Sequence, residues 1–386
     1  MSDASLASIT AAGNDFGFKL LARLAQATDG NVFFSPLSVS CGLTMALAGA
    51  GGRTRRGMTA ALGLGAMTPD QSDRASGLLQ SALSSQDPQV QLSVASALWA
   101  NTTTRFSADF ERRCREFYGA HVATLDFGSP AAVDAINGWV SRNTGGRIAR
   151  LVSYSDIAQA TAALTNAVYF HGLWQTPFEG DDTHDAPFTL TSGATKTVAL
   201  MRQIGSLPHL DSADFQAVSL SYGSGRVSLV VFLPKPGISL EAFIGTLDAE
   251  TWERWLGAMR PARLALLLPR FKAEYRATLN SALADVGMGA AFDIGADFRP
   301  MGLGGSLLGP VIHQAVLEVD EEGTVAAAAT AVVMMRSLFR PNPVPVMRVD
   351  RPFFCAIRDD ETGALLFAGA IRDPQQAEGT PAGGSP

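Results

Sequence analysis

Residues 321–340 place two acidic residues before a long run of small and apolar ones, EEGTVAAAATAVVMMRSLFR. Alanine favours a helix, but Thr324, Val325, Val332 and Val333 are β-branched, and the run lacks the polar face of a surface helix. A linker of small residues would avoid this density of apolar side chains. The pattern therefore favours a segment that is exposed in one state and becomes a buried β-strand in another. Small side chains would let it enter between two strands without repacking the layer beneath.

The composition of the chain limits its partners. Its 386 residues are 47% hydrophobic, enough for the core of one large domain or two ordinary ones. The net charge of -6 gives no electrostatic reason to bind nucleic acid or an anionic membrane. The start of the chain lacks the pattern of a secretory signal, and no apolar run is long enough to span a bilayer. We therefore expect protein or small-molecule partners and a cytoplasmic location, with export by a non-signal route as the alternative.

Hydrophobic periodicity predicts helices in the first part of the chain and strands in the rest. Ser35 is the expected N-cap of the second helix, with Pro36 at its first position. Helices are predicted at 15–27, 35–48, 54–64, 68–83, 107–119, 129–146 and 277–287, and buried strands at 161–170, 226–234, 263–269, 314–320 and 364–371. This order predicts an α+β fold. No linker divides the chain, so we expect one domain over 1–373 and a disordered tail over 374–386.

Enzyme motifs are nearly absent from the sequence. It contains no C-x-x-C, H-E-x-x-H, G-x-S-x-G or Walker A pattern. The stretch GAGGRTRRG from Gly49 has glycines and arginines that could hold a phosphate, but it follows a predicted helix, whereas the dinucleotide fingerprint follows a strand. We interpret it as the end of that helix. His313, in an apolar strand, is interpreted on its own as a hydrogen-bonded core residue. The sequence predicts no cofactor, no metal site and no enzymatic activity.

Five segments, taken together, resemble the serpin family over about residues 10–373. They are NVFFSPLSVSCGLTMALAGAGG, INGWVSRNTGGRI, LTNAVYFHGLWQTPF, AVLEVDEEGTVAAAATA and DRPFFCAIRDDETGALLFAGAIRDP. The resemblance implies three β-sheets, eight or nine helices and an exposed reactive-centre loop, here at about 324–345. It also implies a monomer that inhibits serine proteases as a suicide substrate. The protease is acylated by the loop, and the cut loop inserts into the main sheet as a new strand and distorts the trapped enzyme.

Two other functions stay open at this point. A non-inhibitory member of the family would act as a binding or chaperone-like protein, and its loop would be only a cleavable surface segment. A hydrolase with an unrecognised site is the third interpretation, which the absence of enzyme motifs disfavours.

The resemblance also assigns roles to individual residues. The hinge, which must enter the sheet first, corresponds to Glu321, Glu322, Gly323, Thr324, Val325, Ala326, Ala327, Ala328 and Ala329. Val325 departs from the family pattern, where an acid is common, and it should face solvent after insertion. A polar cluster beneath the opening sheet corresponds to Ser35, Ser38, Asn166 and His313, and Trp174 corresponds to the tryptophan where insertion begins.

The position of the reactive bond is less constrained. Members of the family place the reactive bond at one of two distances along the chain from the hinge glycine. Counted from Gly323, these distances end at Ser337 and at Arg336. We favour cleavage between Arg336 and Ser337, because the pocket of a trypsin-like protease carries a buried carboxylate that matches a guanidinium. Cleavage by chymotrypsin-like or subtilisin-like proteases stays open at three neighbours, Met335, Leu338 and Phe339.

Overall fold

The helices begin and end near the capping signals of the sequence. A computed structural model describes residues 3–65, 67–83, 87–303, 307–324 and 344–375. Its α-helices are α1 (Asp3–Gln26), α2 (Pro36–Ala48), α3 (Gly52–Ala61), α4 (Pro69–Ala82), α5 (Ala108–Tyr118), α6 (Pro130–Asn143), α7 (Tyr154–Ile157), α8 (Leu240–Ile244), α9 (Ala249–Ala258) and α10 (Asn280–Leu283). The Ser35 hydroxyl accepts a hydrogen bond from the amide of Ser38 at 3.1 Å, and Gly49 follows the last residue of α2. The predicted N-cap and the interpretation of the Gly49 stretch as a helix end are both confirmed.

The strands are distributed along the whole chain. They are β1 (Val32–Phe34), β2 (Val90–Asn101), β3 (His121–Leu125), β4 (Ala162–Leu173), β5 (His184–Thr189), β6 (Thr195–Asp211), β7 (Phe215–Tyr222), β8 (Val227–Pro234), β9 (Arg260–Pro269), β10 (Phe271–Thr278), β11 (Val311–Val319), β12 (Gly323–Thr324), β13 (Val346–Arg348), β14 (Phe353–Asp359) and β15 (Leu365–Ile371). The predicted order of helices first and strands later is therefore wrong for β1, β2 and β3. The helix predicted at 277–287 is also shortened, because its first residues belong to β10 and its end is a π-helical turn, Ala284–Met288.

The described strands form two hydrogen-bonded sheets. The larger has the order β1-β15-β14-β8-β7-β6-β9-β13, with β5 beside β6. One section contains β1, β15, β14, β8 and β7, and the other contains β5, β6, β9 and β13. The two sections are joined only by a short pairing of His209–Asp211 on β6 with Gln216–Val218 on β7. The smaller sheet has the order β10-β11-β4-β2-β3, with β12 beside β4. The strands β4 and β11 therefore lie at the centre of the smaller sheet.

Both faces of the smaller sheet are covered. Leu164 of β4 and Leu317 of β11 pack into the main core of the molecule. Ala167 and Val316, on the opposite face, pack with Ile136 of α6 in a second core. Any rearrangement at the centre of this sheet must therefore take place between two packed layers.

Candidate functional site

The two central strands of the smaller sheet, β4 and β11, are parallel and are paired over only part of their length. Their register runs from Val311 opposite Leu164 to Val316 opposite Tyr169. The strands continue to Val319 and Leu173, beyond the paired stretch. We call the boundary between β4 and β11 the seam. It is closed by hydrogen bonds at one end, and the two strands separate at the other.

The chain folds back into the open end of the seam immediately after β11. A short turn leads to β12, which pairs antiparallel with β4, Gly323 lying opposite Leu173 and Thr324 opposite Gly172. A Cβ atom at Gly323 would lie 2.6 Å from the Cα atom of Leu173, and the φ angle of Gly323 is +145°. Only glycine fits this close approach of two backbones without strain.

The turn before β12 is held by the side chain of Asp320. One oxygen of this carboxylate accepts hydrogen bonds from the amides of Glu322 at 3.0 Å and Gly323 at 3.1 Å. Burial of Asp320 raises the pKa of its carboxyl group, with a further contribution from the charges of Glu321 and Glu322. The two amides offset part of this burial cost, because they stabilise the charged form.

Trp174, the residue that follows β4, lies at the open end of the seam. Its indole Nε1 donates a hydrogen bond to the carbonyl of Asp320 at 2.8 Å, and its amide donates to the carbonyl of Glu322 at 2.9 Å. The indole ring is buried and stacks on Tyr222, with ring centres 4.3 Å apart. Trp174 therefore fixes the position of the turn by both backbone and side-chain contacts.

Glu321 connects the same turn to neighbouring parts of the molecule. Its carboxylate lies 2.5 Å from Nη2 of Arg270, which follows β9, and accepts a hydrogen bond of 2.6 Å from the hydroxyl of Thr183. Burial opposes ionisation of Glu321, but the bonds from Arg270 and Thr183 outweigh it, and the pKa of the carboxyl group is lowered. Glu321 is therefore held as an anion.

A buried polar network lies under the paired part of the seam. Nδ1 of His313 lies 2.6 Å from Oδ1 of Asn166, directly across the seam. The Asn166 amide nitrogen donates to the hydroxyl of Ser38 and, at 2.8 Å, to the hydroxyl of Ser96 on β2. The backbone amide of Ser35 donates to Nε2 of His313 at 3.2 Å. The network thus joins three adjacent strands to the start of α2.

The contacts of His313 define its protonation state. Nε2 accepts a bond from an amide, so the proton of a neutral ring is on Nδ1, where it is donated to Asn166. The side chain is fully buried, and this burial lowers the pKa of His313 to about 3. A second proton would place an N–H group against the amide of Ser35.

Comparison with known proteins identifies the family. The sequence model of the serpin (serine protease inhibitor) family matches residues 11–374. The chain is a serpin. Leukocyte elastase inhibitor of Xenopus tropicalis is 33% identical over 380 residues, which cover 95% of this serpin and 99% of that protein. The family is one of protease inhibitors, not of enzymes.

Solved structures confirm the serpin fold. The native state of tengpin, a thermophilic serpin, superposes with a TM-score of 0.87 and 27% identity, covering 95% of this chain and 94% of tengpin. Human thyroxine-binding globulin in complex with thyroxine gives a TM-score of 0.88 and 26% identity, covering 96% of this chain and all of that one. Similar folds therefore occur in proteins whose names describe different activities.

The structure of this serpin brings several predicted residues together. Ser35, Ser38, Asn166 and His313 lie in one network, and Trp174 contacts the turn that contains Glu321 and Glu322. The hinge residues Val325, Ala326, Ala327, Ala328 and Ala329 lie outside the described residues. So do the candidates for the reactive bond, Met335, Arg336, Ser337, Leu338 and Phe339.

Four contributors to the site were missed by the sequence analysis. Ser96 belongs to a strand that was not predicted, and Arg270, Thr183 and Tyr222 reach the site from distant parts of the chain. The only sequence signal was the position of Ser96 within VQLSVASALWAN, where a polar residue interrupts an apolar stretch.

The described part of this serpin contains neither a metal-binding cluster nor a membrane-spanning helix. It contains no group of three His, Cys, Asp or Glu side chains placed to hold a metal ion. None of its described helices combines the length and the apolar character that crossing a membrane requires.

Proposed function

We propose that this serpin inhibits serine proteases as a suicide substrate. The serine oxygen of the protease attacks the carbonyl carbon of Arg336, the bond to Ser337 breaks, and Ser337 leaves with a free amino group. An ester then joins the protease to the loop. Insertion of the cut loop into the seam distorts the protease before water can hydrolyse this ester. The expected partner is a serine protease in a one-to-one covalent complex with a monomer of the inhibitor.

The observation that carries this proposal is the pairing of β12 with β4. The first residues after β11 lie antiparallel to β4, at the end where β4 and β11 have separated. This is the position that a strand inserted along the seam would begin from. Insertion could therefore extend an existing ladder by one residue at a time, without forming a new nucleus.

The register of β12 supports a reactive bond near Arg336. Gly323 lies opposite Leu173, and each further residue in an antiparallel pair moves one position back along the partner strand. Continued to Ala162, the first residue of β4, this register assigns that position to residue 334. The favoured bond lies two residues beyond the inserted strand, so the attached protease would be drawn to the far end of the sheet.

The same register divides the run into two faces. Leu164, Val168 and Phe170 of β4 face the main core. Their partners after insertion would be Val332, Ala328 and Ala326, which are all small or apolar. Val325 and Ala327 would face the opposite side. The apolar run from the sequence therefore has suitable residues at the positions that insertion would bury.

The displacement of the protease accounts for the failure of deacylation. An inserted strand of about 12 residues with a rise of ~3.3 Å per residue moves the attached enzyme by roughly 40 Å. Hydrolysis of the ester requires the catalytic serine and the oxyanion hole to hold their geometry within a fraction of an ångström. A pulling force applied through the serine disrupts that geometry, and the covalent complex persists.

Trypsin-like proteases are the favoured targets, because Arg336 fits their primary pocket. Chymotrypsin-like or subtilisin-like proteases would instead use Met335, Leu338 or Phe339. The name of leukocyte elastase inhibitor supports inhibition of a protease by this chain as well. We keep the cytoplasm as the proposed location, which cell fractionation would test.

A second candidate function is binding without inhibition. The similarity to thyroxine-binding globulin, whose structure was solved with thyroxine, favours it as the alternative. A protein of that kind would be cut in the loop without trapping the protease. The two functions therefore differ in whether the protease stays covalently bound or is released in active form.

A mixing experiment tests the proposal. The protein is incubated with trypsin, chymotrypsin or subtilisin, denatured, and separated by gel electrophoresis. We expect a band at the sum of the protease mass and the 40.6 kDa inhibitor, less the released C-terminal fragment. Trypsin with its catalytic serine replaced by alanine is the control, and it should give no such band.

The thermal stability of the cleaved protein provides an independent readout. Cleavage by a small amount of a protease that is not trapped should raise the melting temperature, because the inserted strand adds hydrogen bonds on both sides. If every protease cuts the loop and stays fully active, and the cut form melts at the temperature of the intact form, the inhibitory function is excluded.

A further inference from the structure

A surface groove lies between α3 and the start of α4, away from the seam. Its volume is about 310 Å³, and Leu47, Leu64 and Met67 form its apolar part. The rest of the groove is lined by Arg55, Arg56, Thr59, Ala60, Gly65, Pro69 and Ser72. None of the described residues that line it is acidic. The groove therefore combines two positive charges with an apolar wall.

The two arginines of the groove are not neutralised by the protein. Of the three arginines of α3, Arg53 forms an ion pair of 2.5 Å with Asp293. Arg55 reaches only the carbonyl of Ala50, at 3.5 Å, and Arg56 has no hydrogen-bond or ion-pair partner among the described residues. The guanidinium groups that line the groove are thus the ones left available for a ligand.

The location of these arginines is unfavourable for the helix itself. Arg55 and Arg56 lie in the first half of α3, which has no acidic residue in its first turn. Cations near a helix N-terminus are disfavoured by the helix dipole. Because local rules are broken most often at functional positions, the pair is better explained by a ligand than by the stability of the helix.

We infer that this groove binds a phosphate monoester. Guanidinium groups bind tetrahedral oxyanions through paired hydrogen bonds, so Arg55 and Arg56 would hold the phosphate. The apolar wall would contact the organic part, and the volume leaves room for one. The glycines of the Gly49 stretch end α2, whereas its arginine side chains supply the phosphate contacts. The inference is independent of the inhibitory function, since the groove does not include the seam.

Phenyl phosphate is a suitable probe, with inorganic phosphate and phenol for comparison. Isothermal titration calorimetry with the intact protein at pH 7.5 should show binding of both phosphates, more tightly for phenyl phosphate, and none of phenol. Replacement of both arginines, Arg55→Gln with Arg56→Gln, should weaken phenyl phosphate binding at least about tenfold, because the charge-assisted bonds are lost. Arg74→Gln, on the exposed face of α4 outside the groove, removes the same charge and should leave binding unchanged.

Two further measurements make the result decisive. The single variant Arg56→Gln changes an exposed residue, so it keeps the fold, and circular dichroism will check this for each variant; it should weaken binding too. Since the second pKa of a phosphate is about 6, binding of phenyl phosphate should also weaken from pH 7.5 to pH 5. Equal affinity of the double variant and the unchanged protein, or no binding of either phosphate by the unchanged protein, would overturn the inference.

Discussion

Asn166 and His313 lie opposite each other on β4 and β11, and their hydrogen bond of 2.6 Å crosses the seam directly. A strand inserted between β4 and β11 must break this bond. The bond therefore holds the two strands together, yet it is a polar contact that insertion can break so that the strands separate.

Replacement of Asn166 by alanine should destabilise the closed sheet. The change leaves Nδ1 of His313 and the hydroxyl of Ser38 without their buried partner, at a cost of about 1–3 kcal/mol for each unsatisfied group. Because the unfolding entropy grows with chain length, we expect the melting temperature to fall by roughly 2–7 °C. Ser93→Ala, on the same sheet outside the network, is the control and should change it little. An unchanged melting temperature in Asn166→Ala would show that the network does not stabilise the native state.

His313 should make the stability of the protein depend on pH. Its pKa is about 3 in the folded state, where burial disfavours the charged ring, and about 6.5 when unfolded. Between these values the unfolded chain binds more protons, so acid favours unfolding. The contribution of His313 is therefore complete above pH 6.5 and is lost as the pH falls towards 3.

The pH effect can be isolated with His313→Gln, which cannot be protonated. Midpoints of urea unfolding at pH 7.5 and pH 4.5 should differ more in the unchanged protein than in the variant, since other acidic groups contribute equally to both. The same difference in the two proteins would mean that His313 has no part in the pH dependence.

The ion pair between Glu321 and Arg270 should couple the turn to the body of the molecule. Both side chains are largely buried, so their interaction is stronger than that of an exposed pair. In a double-mutant cycle with Glu321→Gln and Arg270→Gln, we expect a coupling energy of about 1–2 kcal/mol in unfolding. Lys19 and Asp15 form an exposed pair of 2.8 Å on α1, and the same cycle there should give less than about 0.5 kcal/mol.

Thr324→Arg should convert the inhibitor into a substrate. Thr324 lies opposite Gly172, and a Cβ atom added at Gly172 would lie 2.9 Å from the rings of Phe170 and Tyr222, so β4 packs closely against apolar rings where insertion begins. Burial of an unpaired charge costs several kcal/mol and slows insertion by more than about tenfold relative to hydrolysis. The number of inhibitor molecules consumed per trapped protease should rise accordingly.

Val325→Arg is the matched control for this experiment. The adjacent residue on a strand faces the opposite side of the sheet, and the register continued by one position would place Val325 opposite the partly exposed His171, so an arginine there should be tolerated. If both variants inhibit with the stoichiometry of the unchanged protein, insertion does not start from the hinge.

Arg336→Ala should remove covalent complexes with trypsin selectively. Trypsin requires a basic side chain at the bond that it cuts, whereas chymotrypsin-like enzymes do not. Any complexes with chymotrypsin should persist in this variant, and mass spectrometry of the released peptide will identify the bond. Trypsin complexes that form as before would mean that the reactive bond lies elsewhere.

Much of the fold could be predicted from local patterns. The capping residues of α2 and the continuous apolar runs of β4, β8 and β15 act over a few residues, and sequence patterns report them well. β2 was missed because Gln91 and five small residues weaken its strand pattern, and its pairing with β4 is what stabilises it. Long-range pairing is not encoded in the segment itself.

The same distinction applies to the site. The resemblance to serpins predicted Asn166 and His313, and it located the turn at Glu321. Arg270 and Ser96 could not be predicted, because their roles depend on which strands become neighbours. A polar residue in a strand gives no sign of whether its partner lies across a sheet or in solvent.

The register that starts at Gly323 also determines what replaces the broken bond across the seam. Continued along β4, it brings Thr330 opposite Asn166, in the same row as His313. A hydroxyl group can donate one hydrogen bond and accept another, so Thr330 could serve as a relay between the amide and the imidazole. The expanded sheet would then leave neither group unpaired, and a single hydroxyl in an otherwise apolar run would offset the loss of the bond between Asn166 and His313.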